Sequence, residues 1–198
     1  KEDRISAYES AKQMSSFSSW GAGPALELKP DITAPGGNIY STVVDPLDAG
    51  GDYTGGYDMM SGTSMATPYV SGCAALVLES LQKSLADGSL VLGDTSLNTF
   101  VKNRPMNTAD PIADGSVIYS VRQQGSGMAD PLSAAENRVL ATYNGVASVA
   151  LKEVGNTTGF TVTLTNYGTA VAGYTLPASV PVYTDVTGQD GSYAMELL

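Results

Sequence analysis

From residue 64 onward the apolar residues Met65, Val70, Cys73, Ala74, Val77, Leu81 and Leu85 recur mostly at steps of three and four, the spacing of one helical face. Ala66, Ala75, Leu76 and Leu78 widen that face until the first half is apolar nearly all round, as expected of a helix buried on several sides. Pro68 is tolerable near a helix start, so the pattern predicts an N-terminus close to Ser64. Upstream, Ser15 to Trp20 suits a strand ending at Gly21, and Pro30, Pro35 and Gly36-Gly37 punctuate apolar runs at Ile32 and Ile39 to Val44, predicting strand, turn, strand. The Gly- and Asp-rich stretch from Asp45 to Met60 reads as a loop or hairpin that delivers the chain to Ser61. Downstream the pattern predicts a helix within Ser96 to Lys102, a strand from Ser116, a turn at Gly125 and Gly127 and a short helix from Pro131. After about Leu140 apolar and polar residues alternate around turn signals such as Asn144-Gly145, the pattern of antiparallel sheet. A boundary near residue 140 follows, with residues 1–140 as one unit and 141–198 as a second.

Composition narrows the class of partner. At 198 residues and 42% hydrophobic content, the chain can bury one ordinary core plus a small second unit. A formal net charge of −10, from 20 acidic and 10 basic residues, excludes nucleic acid as a natural partner, because little would neutralise phosphates. An anionic membrane surface is disfavoured on the same ground, and no apolar run reaches the roughly 18 residues of a membrane span. The lone Cys73 sits among apolar residues and reads as packing, which rules out an internal disulfide and a cysteine metal site. Asp45, Asp48 and Asp52 could offer oxygens to calcium but lack the spacing of a defined calcium loop, so no cofactor is expected, calcium being the one candidate. The opening "KEDRISAYES" is not a signal peptide and lacks a methionine, so the expectation is that natural sequence, including any targeting segment, lies upstream.

The candidate chemistry lies in "SGTSMATPYV", residues 61 to 70. The N–H groups of a helix start have no partner inside the helix, and the helix dipole makes that end attractive to negative charge. A hydroxyl at Ser64 therefore has its own backbone N–H beside it to meet a developing oxyanion, as acyl transfer requires. Gly62, Thr63, Ala66 and Thr67 are small enough to let a substrate backbone approach. Spacing alone leaves open that Ser61, Thr63 or Ser64 is merely an N-cap.

"GTSMATP" followed by a small-residue helix resembles the nucleophile segment of the subtilisin-like serine peptidases, in which the serine attacks the peptide carbonyl. "SSFSSWG" and "KPDITAPGGNIYST", residues 15–21 and 29–42, resemble the segment before that nucleophile, and "RQQGSGMADPLSAA", residues 122–135, resembles the turn and short helix that close the catalytic domain. Three landmarks in order place residues 15 to about 138 in this resemblance. Within the family, "YSVRQQGSG" and the tail are most similar to the large cell-envelope peptidases of Gram-positive bacteria. The resemblance implies an α/β fold, the C-terminal portion of a mostly parallel sheet with packed helices. Residues 141–198 would then begin a partial fibronectin type III-like β-sandwich. It also implies an extracellular or cell-wall location, a protein or peptide substrate, Ser64 as nucleophile, and Gly62, Thr63 and Met65 as supports of the nucleophile loop and oxyanion.

The resemblance breaks at the base. Family chemistry needs Asp, His and Ser in that order, and the chain has no histidine. The Asp and His, and the Asn that completes the oxyanion hole, are expected upstream in a missing N-terminal half, leaving this chain inactive by itself. A Ser/Lys mechanism nominates Lys29 or Lys83, but Lys83 lies five helical turns from Ser64 and Lys29 in a Pro-flanked turn. The alternative is a degenerate peptidase serving as a cell-surface binding or structural module. Trp20 is expected to be buried near the active-site side of the sheet.

Overall fold

The computed structural model describes residues 13–44, 55–115, 117–175, 178, 181–187 and 193–197. Strands β1 (Ile39–Val44) and β2 (Gly55–Met60) form an antiparallel hairpin in the register Ile39↔Met60 to Val44↔Gly55. The chain passes directly into helix α1 (Thr63–Ala86), whose start adjoins Ser64 as its pattern predicts. Pro68 lies further inside than a first-turn proline, as the sixth helical residue, so its missing N–H leaves the Ser64 carbonyl without its usual partner. Thr67 Oγ1 donates to Thr63 O at 2.9 Å and Ser71 Oγ to Thr67 O at 3.1 Å, tying the backbone on either side of the proline.

Helix α1 is anchored along one seam. Cys73 and Val77 pack with Ala134 in one buried cluster, and Leu81 packs with Leu90, Phe100 and Leu140 in another. Val101 touches both clusters. The helix is not buried all round: Leu76 is 52% exposed and Leu85 38%, because only one side meets other described elements. Burial pushes the Cys73 thiol up from its ordinary value, with the Asp130 charge adding to it, so this cysteine stays protonated and serves as core packing.

Helix α2 (Leu97–Thr108) begins where Ser96 Oγ accepts the Thr99 N–H at 3.1 Å, and it continues past Pro105 to Thr108. The sequence pattern ends it at Lys102. It continues because Asn103, Arg104 and Pro105 are all buried, and because Asn107 and Thr108 side chains donate back to the carbonyls of Asn103 and Arg104. Arg104 lies 5.0 Å over the Phe100 ring, and its Nε and Nη2 donate to the Asn137 and Ala135 carbonyls. Those carbonyls close helix α4 (Pro131–Glu136), so a buried cation sits at the negative end of that helix. Burial, and then the charge of Arg138, lower the Arg104 pKa to about 10, which leaves it charged at neutral pH.

Strands β3 (Ala113–Asp114) and β4 (Val117–Ile118) form a small antiparallel pair before helix α3 (Val121–Gln124). Gln124 fills the space behind that pair, with its side-chain amide bonded to Ile112 N–H, Ile112 O and Tyr119 O. Helix α4 starts with Pro131, and Asp130 caps it by accepting the Leu132 and Ser133 N–H groups, both at 3.0 Å. Strands β5 (Val139–Thr142) and β6 (Thr163–Asn166) pair antiparallel, as do β7 (Tyr183–Thr187) and β8 (Tyr193–Leu197). Leu140 of β5 is fully buried among the helices.

The mixed helices and strands are those of an α/β chain, but the pairing differs from the mostly parallel sheet expected. All four named strand pairs are antiparallel, and among the described residues parallel pairing occurs once, at Thr33↔Met128. A parallel ladder needs crossover neighbours, and the Ile32–Ala34 segment finds one, the Gly127–Ala129 segment, through Thr33 N to Gly127 O and Ala129 N to Thr33 O, both 2.8 Å. Residues 15–20 likewise form no strand; they run as a turn and extended chain, with Gly21 bonded to Arg122.

Two expectations follow for stability. Arg104→Ala should destabilise the fold by about 3 kcal/mol, since removing the buried guanidinium takes away the donors to the Asn137 carbonyl and the cation over the Phe100 ring and leaves a large cavity; urea unfolding followed by circular dichroism measures it. Hydrogen bonds from Ser133 hold the Asp130 carboxyl below its ordinary value of 3.8. A depressed folded value means the cap stabilises fully above pH 3.8 and loses that contribution as pH falls through the folded value. Asp130→Ala should therefore lower Tm at pH 7 and show a smaller further drop than the parent on acidification below pH 4.

Candidate active site

The start of α1 is fixed by backbone contacts with the Pro35–Asn38 turn. Gly62 N–H donates to Gly36 O at 2.8 Å, and Asn38 N–H donates to Ser61 Oγ at 2.8 Å. Met65 N–H turns back onto Gly62 O at 3.0 Å, so the first turn is closed by backbone, and no side chain caps the helix. Ser61, Thr63 and Ser64 are thereby all free of the capping role that spacing alone left open. The chain can pass this closely because Gly36 lacks a side chain: a Cβ there would stand 2.8 Å from Gly62 O and 3.2 Å from the Ala66 Cβ.

Ser64 is the second helical residue and is exposed. Its N–H belongs to the set that an α-helix leaves unpaired at its N-terminus. A Cβ at Gly62 would lie 3.7 Å from Ser64 N and 3.8 Å from Met65 Sδ, so the glycine keeps that donor uncovered. The hydroxyl, an adjacent free N–H and the positive end of a 24-residue helix lie side by side.

Two clefts bracket this helix start. One, of about 370 Å³, is lined by Ser64, Met65, Pro68 and Tyr69 with hairpin residues that include Ser41, Val43, Asp58 and Met60. The other, of about 580 Å³, is lined by Gly62, Thr63 and Ala66 with Ser15, Phe17, the Thr33–Ile39 segment and Met128. Pro35, Ile39 and Tyr69 border both and form the wall between them. Ser64, Gly62, Thr63 and Met65 thus come together with residues from all three sequence landmarks, since Met128 belongs to the segment 122–135. Gly125 permits that convergence, because a Cβ there would stand 2.5 Å from Pro30 O and 2.6 Å from Asp31 C.

Other candidates lie elsewhere. Lys29 pairs with Asp31 at 2.7 Å and Lys83 with Glu79 at 2.6 Å, and neither lysine lines a cleft with Ser64. Asp45, Asp48 and Asp52 fall outside the described residues; among those described, no group of three His, Cys, Asp or Glu side chains is placed to hold a metal ion. Trp20 corrects its expectation: it is 40% exposed, lies 5.6 Å under the Arg122 guanidinium and lines neither cleft. Arg122 in turn holds Asp185 at 2.5 Å and the Gly21 carbonyl, which draws Trp20 towards α3 and away from the serine. Gly36, Asn38, Asp58 and Tyr69 escape sequence reasoning as site residues; the Pro35-Gly36-Gly37 run signals a turn without showing what it touches.

The Subtilase family profile matches residues 4–139. The chain belongs to the subtilase family. Among curated relatives, it is similar to the PII-type proteinase of Lacticaseibacillus paracasei, 38% identical over 191 residues, covering 88% of this chain and 10% of that protein. It is 32% identical over 161 residues to the C5a peptidase of Streptococcus pyogenes serotype M6, covering 79% of this chain and 12% of the relative. The minor extracellular protease Vpr of Bacillus subtilis is 32% identical over 176 residues, covering 85% of this chain and 20% of Vpr. This subtilase chain spans about a tenth of the length of the first relatives it matches. No helix among its described residues is long and apolar enough to cross a membrane.

The close approach at Gly36 is directly testable. Gly36→Ala should destabilise the fold by about 1–3 kcal/mol, whereas Gly37→Ala, whose new Cβ would meet only Ser15 Oγ at 3.3 Å, should cost less than about 1 kcal/mol. Urea midpoints of the two variants make the comparison.

Proposed function

We propose that this subtilase chain is the C-terminal part of the catalytic domain of a subtilisin-like serine endopeptidase that hydrolyses peptide bonds of protein substrates through an acyl-enzyme on Ser64. The observation that carries the reading is the exposed Ser64 hydroxyl at an uncapped helix start, beside its own free N–H and between two clefts. Ser64 attacks the scissile carbonyl, and its N–H, supported by the Gly62–Met65 turn, donates to the oxyanion. The proton of Ser64 needs a base, and the chain has no histidine. An upstream histidine oriented by an upstream aspartate supplies it, and an upstream asparagine adds the second oxyanion donor. In keeping with this, the chain covers only about a tenth of the relatives' length. The chain alone is inactive on this reading; in subtilisin itself, loss of the base costs about a million-fold in turnover.

The same reading places residues 1–140 in the peptidase domain and takes residues 141–198 as the start of a fibronectin type III-like sandwich, to which β6 and the β7/β8 pair contribute, with β5 crossing the boundary. The location is extracellular or attached to the wall of a Gram-positive bacterium, in keeping with relatives from Lacticaseibacillus, Streptococcus and Bacillus. The exposed side of α1 around Leu76 is covered, on this view, by the N-terminal half of the same domain.

Fluorophosphonate labelling of the secreted and wall fractions of the source organism, with mass spectrometry of the peptide containing Ser64, tests the proposal. The expected result is Ser64 labelled on a polypeptide far longer than 198 residues, and no label in Ser64→Ala. Abundant but unlabelled Ser64 peptide would establish the degenerate, binding-module reading instead.

A further inference from the structure

The cleft between the hairpin and Ser64 carries one charge. Its wall on the hairpin side is the face on which Ile39↔Met60 and Ser41↔Asp58 stand opposite each other in register. Around these the lining is Pro35, Val43, Met65 and Pro68, with the Thr42, Ser64 and Tyr69 hydroxyls as its uncharged polar groups. Asp58 is the charged residue among the lining side chains, and no lysine or arginine borders the cleft. Its Oδ1 accepts the Met59 N–H at 2.7 Å, and no ion pair among the described residues engages it. Tyr40 and Tyr57 stack at 5.6 Å elsewhere on the hairpin, which stiffens the two strands that carry Ser41 and Asp58.

The Asp58 carboxylate is exposed and has no cation of the cleft beside it, so it is open to a cationic side chain, and the apolar residues around it suit the methylene stem of lysine or arginine. A substrate carrying an acidic side chain at that point meets like-charge repulsion, and an apolar one leaves the carboxylate unpaired. The net charge of −10 reinforces attraction of basic substrates at longer range.

We infer that Asp58 is a specificity-determining residue: the cleft beside Ser64 is a subsite for a lysine or arginine side chain of the substrate, lying within a few residues of the bond that Ser64 cleaves. This rests on the peptidase reading of Ser64 given above and names the substrate class for it. Asp58 makes no chemical step; it selects the peptide segment presented to the hydroxyl.

The test uses the full-length peptidase that carries this segment, with quenched fluorescent peptides that differ by Lys, Leu or Glu at one position among the three residues on either side of the cleaved bond. The parent enzyme should prefer Lys over Leu at one of these positions. Asp58→Asn should reduce that Lys-to-Leu ratio of kcat/KM about tenfold, and Asp58→Lys should turn the preference towards Glu at the same position. Fluorophosphonate labelling of Ser64 is read in parallel for each variant. Labelled Ser64 and cleaved peptides with an unchanged ratio in both variants would overturn the subsite and leave the peptidase standing. An unlabelled Ser64 with no peptide cleaved by the parent enzyme would overturn the peptidase reading, and the subsite with it.

Discussion

The hydrogen bond from Gly62 N–H to the Gly36 carbonyl sets where helix α1 begins, and with it where the Ser64 hydroxyl and N–H stand. It joins backbone to backbone, so its geometry depends on there being no side chain at Gly36 to push the two segments apart. The Pro35–Asn38 turn is itself held from below, because the residues just before it pair with Gly127 and Ala129 through Thr33. Three stretches distant in sequence therefore share one frame of backbone hydrogen bonds. Such a frame positions donors more tightly than flexible side chains can, which is what stabilisation of a developing charge requires.

Helix α1 carries two tasks along its length. Its first turn is exposed and uncapped, which leaves the donors available, and the following turns are anchored by Cys73, Val77 and Leu81 against α4 and α2. The anchor is reinforced by polar atoms as well as by apolar ones. Ser80 Oγ donates to Ala135 O at 2.6 Å, and the Arg104 guanidinium closes the carbonyl end of α4 while resting on Phe100. A rigid helix body fixes the orientation of its N-terminus, so packing about 13 to 26 Å along the axis contributes to the site without touching it.

The region on either side of the serine shows how far a residue pattern carries function. The helix start at Ser64, the turn at Gly125 and Gly127, and the short helix beginning at Pro131 were all legible in the sequence. Each depends on residues within one or two turns of one another: apolar periodicity, a proline at the first helical position, an Asp able to cap. The continuation of α2 past Pro105 was not legible, because local rules end a helix there, and burial of Asn103, Arg104 and Pro105 overrides them. Trp20 was misplaced for a similar reason. Its size predicts burial, yet a cation from Arg122, about a hundred residues away, holds it at the surface.

The sequence by itself determined the family, the likeness of the segment around Ser64 to that family's nucleophile segment, and the lack of any histidine in the chain, since these are matters of residue identity and short spacing. It determined equally that the tail alternates as antiparallel strands. Only the tertiary structure decided that Gly36 rather than a capping hydroxyl fixes the helix start, that the strands among the described residues pair almost wholly antiparallel, and that Asp58 shares a cleft with Ser64. The physical reason is range. Caps and periodicity act within about four residues, whereas the site is assembled from segments tens of residues apart whose meeting depends on close packing and backbone pairing across the fold.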